Sequence, residues 1–157
     1  MSLERSLLAA QGYIELEMPE SALRELNELS PNDQDREEVL QMRLFVLMRH
    51  KQWDAALDVC TRLREVWPEC TTGYIHSAFC LHEMGRTREA KDMLLGGPAI
   101  LLKEPTYHYN LGCYDAVLGN LEEASRHLEK SFELDKKFRE IAKYDPDLKA
   151  VQDLLSE

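Results

Sequence analysis

The chain has 157 residues, 44% hydrophobic and 31% charged, the composition of one folded domain or one short repeat array, and this excludes both a disordered tail and two large domains. Nineteen Lys and Arg stand against 29 Asp and Glu, so the formal net charge is −10; phosphate backbones and anionic lipid are repelled, and neither nucleic acid nor membrane is an expected partner. No apolar run approaches the roughly 18 residues that cross a bilayer, and Glu4 and Arg5 interrupt the stretch that a signal peptide keeps apolar, so a cytoplasmic location is expected.

Seven glycines, six prolines and no sustained β-branched alternation leave strands without support. Helical spacing predicts a first pair over 3–17 and 19–30, the second member opening at Met18-Pro19, carrying Ala22 and Leu26 one turn apart and ending early at Ser30-Pro31. The next pair covers 36–50 and 53–67, turns through Lys51-Gln52-Trp53, carries Ala56 and Cys60, and is stopped by Pro68, which lacks the N–H that a helix needs. A third pair covers 71–84 and 87–95. Gly85 suits the left-handed residue between its helices, and Gly96-Gly97-Pro98 cuts the second one short. Ile100, Leu101 and Leu102 then form an apolar connector expected to pack as core. The fourth pair, 105–118 and 121–134, opens on Pro105 and turns at Gly119. Beyond Lys136, two stretches of helical spacing flank Asp145-Pro146 and read as a polar-backed cap over the end of the array.

The pairs share a register. Ala22, Ala56, Ala90 and Ala124 are each 34 residues apart, and four residues after them come Leu26, Cys60, Leu94 and Leu128. Twelve before them come Ala10, Leu44, Ala78 and Gly112; nine before come Tyr13, Leu47, Leu81 and, as the polar exception, Asp115. With Tyr109-Asn-Leu-Gly-Cys-Tyr, Leu118-Gly-Asn-Leu-Glu-Glu-Ala124 and His127-Leu-Glu-Lys in the fourth copy, residues 3–136 resemble the tetratricopeptide repeat family. The resemblance implies an all-α fold, a right-handed superhelix (α-solenoid) of about four helix-turn-helix repeats near 3–34, 37–70, 71–104 and 105–136. A C-terminal cap over 137–157 completes a single domain, 1–157.

Phosphate cradles, helical zinc motifs and nucleophile elbows are absent in their recognisable forms, so neither an enzyme nor a cofactor is expected. His76, Cys80 and Glu83 lie at i, i+4 and i+7 and are of metal-binding type, but three ligands on one helix need a fourth from elsewhere, and no metal is expected there. Cys60, Cys70, Cys80 and Cys113 make no C-x-x-C pair and read as small buried hydrophobes.

In the family resembled, the first helices of the repeats line a concave groove that takes a peptide or a helix of a partner. Offsets of eighteen, fifteen, fourteen, eleven, eight and seven before Ala56 give Glu38, Gln41, Met42, Phe45, Met48 and Arg49. The same offsets before Ala90 and Ala124 bring in Ile75, His76, Phe79, His82 and Glu83, then Tyr109, Asn110 and Cys113. The resemblance therefore implies a binding groove of Phe45, Met48, Arg49, Ile75, Phe79, His82, Tyr109, Asn110 and Cys113. Phe45, Phe79 and Tyr109 would be the aromatic anchors, and His82 and Arg49 would orient the ligand. Of the polar set with which the co-chaperone branch holds a terminal carboxylate, only Asn110 matches. The expected function is a non-catalytic adaptor or chaperone-like scaffold for a protein or peptide partner, the alternatives being a homo-oligomer that buries the same apolar face and, less favoured, a metal sensor or enzyme on His76 and Cys80.

Overall fold

The computed structural model describes residues 2–155, and among them the regular structure is helical with no strand. The α-helices are α1 (Leu3–Glu15), α2 (Pro19–Asn27), α3 (Pro31–Gln34), α4 (Glu37–Arg49), α5 (Trp53–Val66), α6 (Thr71–Glu83), α7 (Thr87–Leu95), α8 (Pro105–Val117), α9 (Leu121–Leu134) and α10 (Lys137–Lys143). Ala99–Lys103 and Pro146–Leu154 form 3-10 helix. The all-α class and the eight repeat helices expected from the sequence are present; α3, a single turn opened by Pro31, has no counterpart in that expectation. No described helix is long and apolar enough to cross a membrane.

Contacts divide the chain into two compact units, residues 1–73 and 74–157, the division falling inside α6. In the first, α1 packs on α2, α2 on α4 and α4 on α5. Ala10, Ile14, Ala22, Leu26, Leu29, Val39 and Val46 form its core. α2 ends without a glycine because the Gln34 side chain takes over the capping: its Nε2 donates to the carbonyls of Leu26 at 2.9 Å and Leu29 at 3.0 Å. In the second unit α8 packs on α7 and α9.

The 34-residue register is visible in the backbone. Glu17, Lys51, Gly85 and Gly119, each five residues before a repeat alanine, all take positive φ, at 58°, 58°, 80° and 88°. At each turn the same bond closes the helix, from the N–H of the next residue to a carbonyl five back: Met18 to Tyr13, Gln52 to Leu47, Arg86 to Leu81 and Asn120 to Asp115, at 2.8–2.9 Å. The first two turns thus adopt the left-handed geometry without glycine, at a cost of roughly 1–2 kcal/mol each.

The four repeat alanines are fully buried, and Leu26, Cys60, Leu94 and Leu128 are at most 1% exposed. Asp115, the polar exception, is also fully buried. Its Oδ1 accepts from Lys91 Nζ at 2.8 Å and Asn120 Nδ2 at 3.0 Å, while Oδ2 faces His127 Nε2 at 3.3 Å. A carboxylate is tolerated in an apolar column because α7 and α9 bring cationic and amide donors to it. In the connector the expectation of a fully packed apolar run is met only by Leu101, 1% exposed, whose side chain lies where a Cβ on Gly97 would stand; Ile100 and Leu102 are exposed. The cap also differs from the sequence reading. Its last segment is 3-10 rather than α, a geometry of three residues per turn that puts Leu148 and Val151 on one face.

Burial holds the imidazoles of His76 and His127 below the ordinary histidine value of 6.5, and for His127 this outweighs the upward pull of Asp115 and Glu123. Below about pH 6.5 the unfolded chain therefore binds more protons than the folded one, and stability falls as pH falls. The urea midpoint is expected to drop between pH 7.5 and 5.5, with a shallower slope in His127→Gln; a midpoint that rises on acidification contradicts the assignment.

Candidate functional site

Two helix faces carry the residues that the sequence marks for a groove. On the first unit α1 and α4 flank an open depression of about 350 Å³ lined by Gln11, Ile14, Glu38, Gln41, Met42 and Phe45. α4 is apolar on more than one side. Val39, Leu40, Leu44, Val46 and Leu47 turn inward, while Phe45 is left 52% exposed on the open side. Met48 is half-buried and Arg49 exposed, its guanidinium 3.2 Å from Glu17. Gln41 Nε2 reaches Cys70 Sγ at 3.6 Å, which fixes one wall of the depression. Gln11 and Ile14, on α1, lie outside the set that the sequence marks, yet the offsets of eleven and eight counted back from Ala22 reach them.

On the second unit the corresponding face is covered. Tyr109 and Cys113 are each 6% exposed and Ile75 7%, whereas the sequence reading makes Tyr109 an open anchor. The cover is the chain's own C-terminal segment. Tyr109 donates its hydroxyl to Asp145 Oδ2 at 2.7 Å and stacks tilted against Phe138 with ring centroids 5.1 Å apart. Cys113 Sγ lies 3.7 Å from the same carboxylate oxygen. Burial first, then the Asp145 carboxylate, push both the phenol and the thiol well above their ordinary pKa, so neither supplies a nucleophile at neutral pH. His82 Nε2 lies 3.0 Å from Asp147 Oδ2 and Nδ1 2.9 Å from Thr87 Oγ1; because a carboxylate only accepts, Nε2 carries the proton of that bond. Phe79 and Asn110 are half-buried.

Cys80 is fully buried and Glu83 exposed, and among the described residues no three His, Cys, Asp or Glu side chains converge as a metal would require. Cys60 and Cys113 are likewise buried and Cys70 is half-buried, and none of the four cysteines is in a disulfide.

No family model matches the chain, and no curated protein does. Solved structures do match. MamA from MSR-1 is 20% identical, with 87% of this chain and 79% of that one covered at a TM-score of 0.70. MamA from residue 41 onward of Desulfovibrio magneticus RS-1 is also 20% identical, covering 86% and 78% at 0.73. YrrB, described as a TPR protein with an unusual peptide-binding site, is 22% identical, covering 88% and 72% at 0.69. At these identities the likeness is one of fold, and it agrees with the repeat columns: the chain has the tetratricopeptide-repeat fold.

Proposed function

We propose that the chain is a non-catalytic interaction module whose α1–α4 concavity takes an apolar segment of a partner protein, as an extended peptide or a helix. One observation carries this reading: Phe45, a large aromatic on a regular helix, is more than half exposed on the wall of a depression that also holds Ile14 and Met42. Glu38 and Gln41 on that wall, and Gln11 on the facing one, supply hydrogen-bonding groups that fix the register of a backbone. YrrB, alike in fold, is described as having a peptide-binding site, which supports the same use of the architecture here. Of the two cations on this helix, Arg49 is already matched to Glu17 and Arg43 bonds Asn27 and Gln34, so binding is expected to depend little on salt.

Panning a displayed peptide library against the full chain and measuring the selected peptides tests this. Phe45→Ala with Met42→Ala is expected to weaken them by about thirtyfold or more, as for an aromatic anchor worth about 2 kcal/mol. Lys130→Ala with Glu133→Ala, an exposed pair, leaves them unchanged. Peptides that bind the double variant as tightly as the wild type remove the concavity as the site. A chain that sediments as a dimer and becomes monomeric on Phe45→Ala assigns the concavity to a second copy of itself.

A further inference from the structure

We propose that the segment from Asp145 to Val151, which packs on α8 and α9, is a built-in strap over a second binding face formed by α8 and the end of α6. When the strap lifts, that face takes a partner peptide of the strap's own chemistry: two carboxylates two residues apart, then two aliphatic side chains three apart. This rests on reading the chain as an interaction module but not on the α1–α4 concavity, so a null result at Phe45 leaves it standing.

The strap is held by recognition chemistry as well as apolar cover. Asp145 Oδ2 accepts from Tyr109 at 2.7 Å, and Asp147 Oδ2 accepts from His82 at 3.0 Å. Leu148 and Val151 are fully buried on one side of the 3-10 helix, while Lys149, Ala150 and Asp153 on the other side are exposed. The groups that receive the strap occupy the groove columns. Tyr109 and Cys113 stand fifteen and eleven residues before Ala124, and the residues at those offsets from Ala56 are Gln41 and Phe45, which line the open concavity of the first unit. The same columns are therefore open on one unit and covered on the other.

The strap is also built to come off. Tyr144, where it joins α10, is 80% exposed, and Ala142 is the buried residue of α10. The Asp147 side chain remains 41% exposed. Beneath it the Tyr114 hydroxyl is buried with no hydrogen-bond partner, so the strap does not satisfy every polar group of the face it covers.

A labelled synthetic peptide copying residues 144–155 tests the proposal on the full chain. The tethered strap competes at an effective concentration in the roughly millimolar range, so the wild type is expected to bind the peptide weakly. Asp145→Ala with Asp147→Ala in the chain, which loosens the strap and keeps the receiving groups, should tighten binding at least tenfold. Tyr109→Phe and His82→Ala added to that variant should cancel the gain. Equal binding by wild type and loosened chain, or none by either, overturns the proposal. Should the loosened chain lose its helical circular dichroism, hydrogen exchange on the unmodified chain decides. Amides of 148–154 that exchange ahead of α8 and α9, and faster still with millimolar peptide, support the strap; exchange only together with α8 and α9 overturns it. A dimer that the peptide converts to monomer shows strap exchange between copies and overturns the partner site.

Discussion

Gly112→Val and Ala90→Leu are each expected to cost about 3 kcal/mol or more, which for a chain of this size lowers the melting temperature by roughly 6–12 °C. A Cβ on Gly112 would stand 2.6 Å from Leu128 Cγ and 3.2 Å from the Ala124 carbonyl, and Leu128 is itself fully buried, so neither side of the contact has room to yield. Ala90 is fully buried where α7 meets its neighbours, and three added heavy atoms there have to move a helix. Gly12 supplies the contrast. It lies inside α1 with nothing within 4 Å of where a Cβ would stand, so Gly12→Ala is expected to stabilise by roughly 0.5–1 kcal/mol. Thermal circular dichroism of the three variants reads the sign directly; a loss in Gly12→Ala, or none in the other two, contradicts the packing described.

Asp115→Ala should be comparably severe, at about 3–5 kcal/mol, because it removes one partner of a buried ion pair and leaves the ammonium of Lys91, 18% exposed, without its acceptor. The cost belongs to the broken pair rather than to the loss of a charge. Asp115→Leu with Lys91→Met, which restores the apolar character that Tyr13, Leu47 and Leu81 give the same column, is therefore expected to recover most of it. Denaturant midpoints distinguish the two. If Asp115→Ala lies within about 1 kcal/mol of the wild type, the network contributes little beyond ordinary surface pairing.

The fold was legible because packing repeats. A small residue where two helices approach, an apolar residue one turn later and a turn at a constant offset all recur at one period, and the helix ends read from them fall within three residues of those observed. What the period hides is how a departure is compensated. Glu17 and Lys51 are ordinary by type, yet their backbones adopt the geometry of the two glycines because the turn is imposed by the helices on either side. Asp115 looked like a failed column, since a single column does not show that Lys91 and His127 arrive from other helices.

The candidate site was legible by halves. Offsets from Ala56 reached Glu38, Gln41, Met42 and Phe45; the same count from Ala22 supplies the other wall, Gln11 and Ile14. The cover over Tyr109 and Cys113 was not readable from the columns, which rank positions on a helix without regard to what a later, non-repeating segment lays over them. Helical spacing on either side of Asp145-Pro146 marked the last segments as a cap, but not the face they close.

The bond between His82 and Asp147 joins residues 65 apart, and this has a consequence for synthesis on the ribosome. Val117 ends α8 and Asp145 lies 28 residues later. At about 5–20 residues per second, α8 is translated roughly 1–6 s before the strap that covers it. Tyr109 and Cys113 are thus made before the carboxylate that covers them, and the contacts of Asp145 with both are among the last the chain can form.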